Sequence, residues 1–568
     1  MNESAAPRRA PRLEGILFAC LCAIAFAHWV AHFEPFLVPN NDFPSFEATA
    51  RSLAQGELPR SYQRMPIFPA LMALLAPLLP SPHPYLHAAL VWNLFFSLGT
   101  LALLFALASR LLGPGALLVP ALTLAASQFQ SAALQPLVEP SLGFFVVLGF
   151  VLFERRSAWQ YAAAFAAALS RYEAALLIPV LVLASCRRGS ALRHFALGAL
   201  AASGVVAWAG LGALQGTGTQ SYLAMMEGTG FLPELAFLMR SIKEPLRGWF
   251  APQGIGLVLF VAATGIPLVA GLRRGIREFP RETAALLGFW VLCIASIVGF
   301  GIAKPRYVYP TQWILLFFLA AGVLELAKWA AEQLLPRFPP WLRTAAAAGA
   351  FGGAALFSGR WLVRYVDSFH LLPPVWDWAL LAGCLIGLLG GLAWLRSKEP
   401  LSALGAGLAA LALLVPLSAG GLVARSRDAY KIHYSNYGTW LTARWAGEHL
   451  EDSEGMVAFG SAHIAALTGM ERSRTSNFAS SRAADSVELA AYMRRRGLTH
   501  VAYTARHPTT RSDQWFDQKA RVDLARAFAD GTGVPGFVLV TTLTPPAELN
   551  EDPVHIYRLE ALGVVASP

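Results

Sequence analysis

Acidic and basic side chains stand at the ends of apolar segments in several separate parts of this sequence. A carboxylate at such a place can remove a proton from a hydroxyl group, and an arginine or a lysine can hold a phosphate. Ionisable groups at apolar segments are costly, and they are usually paired or functional. The candidate positions are Asp42, Glu139, Arg171-Tyr172-Glu173 and Lys304-Pro305-Arg306-Tyr307.

Each of these positions also has an ordinary structural explanation. Asp42 would simply be solvated, or would cap a helix. Glu139, which precedes a proline, suits the negative charge that favours a helix N-terminus. Arg171 would pair with Glu173 or reach the lipid headgroups, and the cations of residues 304–307 would be interfacial anchors. Only a convergence of all four places on one side of a membrane favours chemistry over these explanations.

The composition requires a chain with many membrane-spanning segments. Hydrophobic residues make up 55% of the 568 residues and charged residues only 14%, against a usual charged share of about 25%. These figures exclude disordered, collagen-like, coiled-coil and disulfide-rich secreted proteins. The sequence therefore predicts a polytopic α-helical membrane protein.

Hydropathy and charge together predict the topology. Because a membrane helix needs about 20 apolar residues, we expect about thirteen spans, and the basic side chains of the membrane part favour a cytoplasmic N-terminus. An odd number of spans then places the C-terminal tail outside the cytoplasm, together with all four candidate positions. The predicted spans lie near 13–33, 85–110, 115–132, 134–153, 157–171, 173–186, 192–214, 253–272, 284–303, 310–327, 343–358, 375–395 and 401–424.

The sequence divides into a membrane domain over 1–424 and a small soluble α/β domain over 425–568. The first outer loop, about 34–84, belongs to the membrane domain. The tail carries sixteen basic and sixteen acidic side chains, so the net charge of +10 belongs to the membrane part. The excess of basic residues is thus a topology signal, and nucleic acid is not an expected partner.

The tail alternates helical and strand patterns, which predicts a small sheet with helices packed on it. We expect helices over 438–450 and 486–496. The expected strands are 455–460, 499–503, 537–542 and 555–559.

Histidines are the other candidates for metal binding. His28 and His32 are one helical turn apart, and His83 and His87 repeat that spacing. Such a pair binds zinc when a carboxylate joins it, but interfacial histidine pairs are common. We therefore predict no metal ligands at these positions.

Several motifs of the membrane part resemble those of a known group of enzymes. The pattern Asp42-x3-Phe46-x3-Ala50-Arg51-x-Leu53-Ala54-x-Gly56, followed by Arg64-Met65-Pro66-Ile67-Phe68-Pro69, is similar to the first outer loop of GT-C-fold glycosyltransferases. Within them it most resembles the branch of protein O-mannosyltransferases and lipid A aminoarabinose transferases. Glu139-Pro140, Arg171-x-Glu173 and Arg306-Tyr307-x2-Pro310 also stand where that branch keeps such residues.

The resemblance implies a reaction and a role for each candidate residue. Such enzymes transfer a sugar, with inversion, from a polyprenyl-phosphate donor to a lipid, glycan or protein acceptor on the outer face of a bacterial inner membrane. The base takes the proton of the acceptor, and cations stabilise the leaving phosphate. The implied catalytic residues are Asp42, as general base, and Glu139; the implied phosphate ligands are Arg306, Lys304 and Arg171; the implied substrate-binding residues are Glu173, Arg64 and Tyr307.

The sequence also departs from the pattern of that branch. Many relatives have a second acidic residue directly after the loop aspartate, where this chain has Phe43. The resemblance therefore implies no definite cofactor, and a divalent metal is compatible with the site. A transporter or flippase of lipid-linked sugars, or a catalytically degenerate scaffold, remain the alternatives to a transferase. The absence of a clear internal repeat and the outer position of the charges favour the enzyme.

Overall fold

The structure is a computed structural model of the whole chain. It describes residues 12–31, 42–59, 61–62, 64–81, 83–186, 189–215, 255–299, 305–329, 332–333, 337, 339, 437–458, 461–481, 483, 485–504, 527–528, 531, 533–545 and 552–560.

The chain divides into two compact units. One contains Met1–Phe33 and Phe46–Arg427, and the other contains Glu34–Ser45 and Asp428–Pro568. The second unit thus takes in a short segment that the sequence assigns to the first outer loop of the membrane domain. The assignment of the two units to membrane and extracytoplasmic space stays a prediction.

The described residues up to 329 are helical wherever they have regular structure. The α-helices are α1 Arg12–Ala31, α2 Phe43–Ala54, α3 Ile67–Leu75, α4 Pro84–Leu111, α5 Leu118–Ala125, α6 Ser127–Leu134, α7 Glu139–Glu154, α8 Gln160–Ala168, α9 Leu177–Ser185, α10 Ala191–Leu214, α11 Ile255–Glu278, α12 Pro280–Gly299 and α13 Tyr309–Trp329. Short 3₁₀ turns are formed by Ala76–Leu78, Tyr172–Leu176 and Pro305–Val308.

Four of these helices are long and apolar enough to cross a membrane. They are Pro84–Leu111, Ala191–Leu214, Pro280–Ile297 and Tyr309–Leu326, and the bent pair Gln128–Leu134 and Glu139–Glu154 adds a fifth if it is one broken span. The spans predicted at 343–358, 375–395 and 401–424 lie outside the described residues. The count of about thirteen spans therefore stays a prediction.

The predicted span 115–132 is in fact two short helices. The backbone of Ala126 is extended, with φ −69° and ψ 125°, and this breaks the chain between α5 and α6. The sequence that follows the break, Ser127-Gln128-Phe129-Gln130, is polar, and a polar segment in a membrane protein is tolerated where other helices cover it. Here Gln130 is fully buried and accepts a hydrogen bond of 2.7 Å from the Trp29 indole.

Close packing of small residues joins two of the long helices. A side chain at Gly271 in α11 would collide with the backbone of Phe318, and one at Gly322 in α13 would collide with that of Pro267. Membrane helices associate largely through such close backbone approaches, because lipid tails are as apolar as their side chains.

The second unit contains a five-stranded mixed sheet. Its elements are helix α14 Tyr437–His449, strand β1 Met456–Ala458, helix α15 Ser461–Thr468, strand β2 Thr475–Asn477, helix α16 Ser486–Arg496 and strands β3 His500–Thr504, β4 Phe537–Leu543 and β5 Val554–Leu559. The strand order is β2-β1-β3-β5-β4. Strand β1 is parallel to both of its neighbours, whereas β5 is antiparallel to β3 and β4.

Alternation along the strands gives the sheet two buried faces. Val457, Val501 and Tyr557 are paired across the strands and pack on one face with α16. Met456 and Ile556 belong to the cluster on the opposite face, which includes residues of α14 and α15. The described residues of this unit thus form a sheet with helices on both faces, and among them the short elements β2 and α15 are absent from the sequence-based prediction.

Local capping explains why α16 has the predicted limits. The Asp485 carboxylate accepts hydrogen bonds of 2.9 Å from the backbone N–H groups of Val487 and Glu488. Gly497 ends the helix in the left-handed conformation, with φ 65°. An aspartate before a helix and a glycine after it are the usual signals for its two ends.

Candidate functional site

The candidate site is built around Glu139, the first residue of α7. The next residue is Pro140, which is well tolerated in the first turn of a helix because it has no N–H group to leave unsatisfied. The side chain of Glu139 is only 2% exposed. A carboxylate buried so deeply in an apolar bundle is stable only with a close partner.

That partner is Arg171, which lies 32 residues further along the chain. Its Nη1 donates a hydrogen bond of 2.9 Å to Glu139 Oε1. Its Nε and Nη2 donate to the two oxygens of Glu173, at 3.2 Å and 2.7 Å. The extended backbone of Arg171, φ −153° and ψ 146°, separates α8 from the 3₁₀ turn that carries Glu173. One guanidinium therefore joins two carboxylates from two parts of the chain.

A third segment contributes an aromatic ring to this cluster. Tyr307 lies in the 3₁₀ turn just before α13, and the Arg171 guanidinium carbon is 4.6 Å from the centre of its ring. A cation over a tyrosine face is attracted by the ring electrons, and more strongly where water is excluded. We call Glu139, Arg171, Glu173 and Tyr307 the charged cluster.

The segment around Arg64 is attached to the same region by its backbone. The carbonyl of Arg64 accepts a hydrogen bond of 3.1 Å from the Trp208 indole of α10. The Ile67 N–H donates to the Leu169 carbonyl at 3.2 Å, two residues before Arg171. The Arg64 guanidinium itself stacks 4.8 Å from the ring centre of Phe46. Thus the structure holds residues 64–67 against α10 and against the residue that follows α8, two residues before Arg171.

Sequence reasoning missed one polar residue beside the cluster. Tyr309, at the start of α13, is 3% exposed, and its ring stacks on Phe129 at a centroid distance of 6.0 Å. Its hydroxyl has no hydrogen-bond partner among the described residues. The ring lies against Gly143, where a β-carbon would be 2.8 Å from Tyr309 Cε1. Gly143 is one helical turn after Glu139, so this glycine makes room for the tyrosine directly beneath the carboxylate.

Besides Arg64, three predicted residues are not part of the charged cluster. Asp42 precedes α2, where its carbonyl accepts hydrogen bonds from the hydroxyl and the N–H of Ser45, at 2.6 Å and 3.1 Å. Asp42 belongs to the second unit, whereas the residues of the charged cluster belong to the first. Lys304 and the side chain of Arg306 lie outside the described residues. The roles of these three stay predictions.

Phe43, which stands where many relatives have a second acid, is a core residue. It is 2% exposed at the first position of α2. Within the described part of the chain, no group of three or more histidine, cysteine, aspartate or glutamate side chains is arranged to hold a metal ion. In the charged cluster, the cation between the two glutamates is the Arg171 guanidinium.

Known structures are similar to this chain in fold over most of its length. The structure of ArnT from Cupriavidus metallidurans bound to undecaprenyl phosphate is similar over 97% of this chain and 99% of that one, with a TM-score of 0.53 and 14% identity. The oligosaccharyltransferase of Archaeoglobus fulgidus is similar over 94% of this chain and 80% of that one, with a TM-score of 0.51 and 12% identity. The same archaeal enzyme, AglB, in complex with an inhibitory peptide and a dolichol-phosphate gives a TM-score of 0.51 at 11% identity.

This chain has the GT-C fold. No protein-family model matches the sequence, and no curated protein matches it either. The GT-C fold is therefore recognised from the structure and from the motifs described above. It confirms the predicted fold class, an α-helical membrane protein.

Proposed function

We propose that this chain is a membrane glycosyltransferase that moves a sugar from a polyprenyl-phosphate donor to a lipid, glycan or protein acceptor, with inversion. The observation that carries the proposal is the charged cluster, in which one guanidinium joins a buried carboxylate and a half-buried one within a GT-C fold. Buried ionisable groups in a membrane protein are expensive, and they are retained chiefly where they serve a function.

Asp42 is the general base of the proposed reaction. It accepts the proton of the acceptor hydroxyl while the hydroxyl oxygen attacks the anomeric carbon from the face opposite the phosphate. The bond from the anomeric carbon to the phosphate oxygen breaks, and polyprenyl phosphate leaves with the bonding electrons. Arg306 and Lys304 stabilise the negative charge that develops on it, the arginine with a two-pronged fork and the lysine as a point charge.

The proposal also gives the protein a location, and it leaves the chemical class of the acceptor open. We place the protein in a bacterial inner membrane, with the second unit on the outer, extracytoplasmic face. The support is the charge distribution of the predicted loops, in which basic residues mark the cytoplasmic side. The choice among lipid, glycan and protein acceptors depends on the shape of the pocket, which a fold does not specify.

Turnover of defined donors tests the proposal. The purified protein in lipid nanodiscs receives a panel of polyprenyl-phosphate sugars together with lipid, glycan and peptide acceptors, and release of polyprenyl phosphate is measured. We expect at least one donor to be turned over by the wild type. Because a general base contributes about 10²- to 10⁴-fold, Asp42→Asn should lower turnover by at least about 100-fold.

Asp452→Asn is the matched control for this substitution. Asp452 is a fully exposed carboxylate that pairs with Arg474 at 3.2 Å, and such surface pairs contribute little. Its replacement should leave turnover unchanged. Turnover that survives Asp42→Asn would retain the transferase and move the base to another carboxylate. If donors bind and none reacts with any acceptor, a flippase or a scaffold is the better description.

A further inference from the structure

Three exposed arginines stand where the ends of α7, α8 and α10 come together. Arg155 and Arg156 directly follow α7, and Arg193 is the third residue of α10. The Tyr161 hydroxyl, in the first turn of α8, is hydrogen-bonded to His194 Nδ1 of α10 at 3.1 Å. The start of α8 therefore lies beside the start of α10, and the three arginines border the same end of the helical unit.

Arg156 has a backbone conformation that favours glycine. Its φ is 55°, and it is the only non-glycine residue with a positive φ in the part of the chain that the structure describes. Its N–H donates to the Phe153 carbonyl, and the Ser157 N–H donates to the Leu152 carbonyl, both at 2.9 Å. This pair of bonds ends many helices, and the left-handed position within it is usually a glycine, which has no β-carbon to strain. An arginine is therefore less stable here than a glycine would be.

Arg193 also stands where the local electrostatics disfavour a positive charge. The N-terminal end of a helix carries a partial positive charge, which favours acidic side chains over basic ones. Arg193 lies in the first turn of α10, a helix of 24 residues, and is followed by His194. The tendency of cytoplasmic loops to be basic does not require either unfavourable position, because a charge at a neighbouring exposed loop residue such as Ala158 would serve equally well.

No carboxylate neutralises the three arginines within the described part of the chain. Glu154, the nearest acid to Arg155 and Arg156 along the sequence, is paired with Arg110 at 2.6 Å. A guanidinium without a carboxylate partner is suited to a phosphate group, whose oxygens it binds through two parallel N–H groups. An anion bound here would offset the cost of both unfavourable positions.

Exposed apolar side chains flank the arginines. Trp159, three residues after Arg156, is 73% exposed, and Leu192 and Phe195, on either side of Arg193, are 85% and 55% exposed. Tryptophan favours the level of the lipid headgroups, and the other two side chains favour an apolar surrounding. A phospholipid offers a phosphate and acyl chains together, whereas a soluble anion offers only the charge.

We propose that Arg155, Arg156 and Arg193 bind the headgroup of an anionic phospholipid, whose acyl chains lie against Trp159 and the start of α10. We call these four residues the lipid site. The predicted topology puts the lipid site at the cytoplasmic leaflet, on the side of the membrane opposite to the charged cluster. The proposal concerns a bound lipid, and it stands independently of the transferase reaction.

The number and affinity of bound lipids test the site. The purified protein in a non-ionic detergent is titrated with phosphatidylglycerol or with phosphatidylcholine, and mass spectrometry of the intact complexes counts the bound lipids. We expect the wild type to bind one phosphatidylglycerol at least about tenfold more tightly than it binds phosphatidylcholine. Because each basic side chain beside an anionic headgroup adds to the binding free energy, Arg156→Gly and Arg193→Ala should each weaken the binding of phosphatidylglycerol about fivefold.

Thermal unfolding of the same variants separates lipid binding from damage to the fold. Glycine suits the φ of 55°, so without added lipid the unfolding midpoint of Arg156→Gly should equal or exceed that of the wild type. Phosphatidylglycerol should raise the midpoint of the wild type, because a ligand that binds only the folded protein stabilises it. The rise should be smaller for Arg156→Gly and for Arg193→Ala, and the second of these leaves the left-handed turn intact.

Arg277→Gln is the matched control. Arg277 is an exposed arginine in the last turn of α11, where the helix dipole favours a positive charge, and it lies on the same predicted side of the membrane. Its replacement should change the affinity for phosphatidylglycerol by less than about twofold.

Three results would overturn the proposal. One is a loss of affinity in Arg277→Gln as large as that in Arg193→Ala, because general attraction to a basic face would then explain both. Another is phosphatidylcholine that binds the wild type as tightly as phosphatidylglycerol. The third is inorganic phosphate that, at the concentration of the lipid, raises the unfolding midpoint as much as phosphatidylglycerol does, since the ligand would then be a soluble anion.

Discussion

Two clusters in this molecule each combine an arginine, a glutamate and an aromatic ring, and they differ in how far water reaches them. In α14, Arg444 donates from Nε to Glu448 Oε1 at 3.1 Å and lies 5.8 Å from the ring centre of Trp440. The side chains of that ion pair are 60% and 55% exposed. In the charged cluster, Arg171 is 12% exposed and lies 4.6 Å from the ring centre of Tyr307.

The two clusters differ in the free-energy cost of leaving a charged side chain without its partner. Water can solvate Arg444 and Glu448 separately, so their attraction adds only about 0–1 kcal/mol to stability. Water reaches Glu139 hardly at all, and an isolated carboxylate there would be very costly. A buried ion cluster is therefore poor evidence for added stability but good evidence for a constraint. The partners of Arg171 must be present together, and this fixes their geometry.

Removal of the arginine should give the largest difference in stability between the two clusters. Arg171→Met leaves two carboxylates without their shared cation, and breaking a buried pair in this way costs about 3–5 kcal/mol. Arg444→Met should cost at most about 1 kcal/mol. The measurement is the free energy of unfolding of each variant in mixed detergent and lipid micelles. Equal losses for the two variants would refute the distinction between a buried and an exposed cluster.

Addition of one methyl group beside each cluster should have effects of opposite sign. Gly143→Ala puts a β-carbon 2.8 Å from Tyr309 Cε1, and such overpacking typically costs about 1–3 kcal/mol. Gly447→Ala, beside Glu448 in α14, meets only Thr468 Cγ2, at 3.7 Å. There the better helix propensity of alanine should stabilise the fold by about 0.5–1 kcal/mol.

The free energy of unfolding of each variant tests whether Gly143→Ala destabilises the protein and Gly447→Ala stabilises it. If Gly143→Ala is neutral, the Tyr309 ring can move away from α7, and the packing between α7 and α13 is loose. If Gly447→Ala is destabilising, the exposed cluster is more constrained than its surface position indicates.

Hydropathy predicts much of the fold and little of the cluster. The predicted helices 85–110 and 486–496 are close to Pro84–Leu111 and to Ser486–Arg496, because a long apolar run and a capped amphipathic run are both local signals. The contact from Arg171 to Glu139 spans 32 residues, and nothing local in the sequence indicates it. Only the predicted topology, which puts both positions on the same side of the membrane, suggests that the two residues belong together.

Tyr309 shows a different limit of sequence reasoning. A tyrosine at the start of a membrane helix has the pattern of an ordinary interfacial anchor, and it is two residues from Tyr307, which the motif singles out. Its burial and its place over Gly143 depend on how α13 packs against α7. A glycine one turn after a buried carboxylate is the one sequence signal that would have pointed to it.

The smallest expected effect, and the one that separates the two clusters most cleanly, is that of salt. The Debye length falls from about 10 Å at 0.1 M to about 3 Å at 1 M ionic strength, and this weakens exposed ion pairs far more than buried ones. The difference in unfolding free energy between the wild type and Glu448→Gln, a few tenths of a kcal/mol at low salt, should vanish at about 1 M NaCl. The difference between the wild type and Glu139→Gln should persist, because the 2% exposed carboxylate is shielded by protein and not by ions. A salt-sensitive Glu139→Gln effect would mean that water and ions reach the inner carboxylate, and that the cluster around Arg171 is open to solvent.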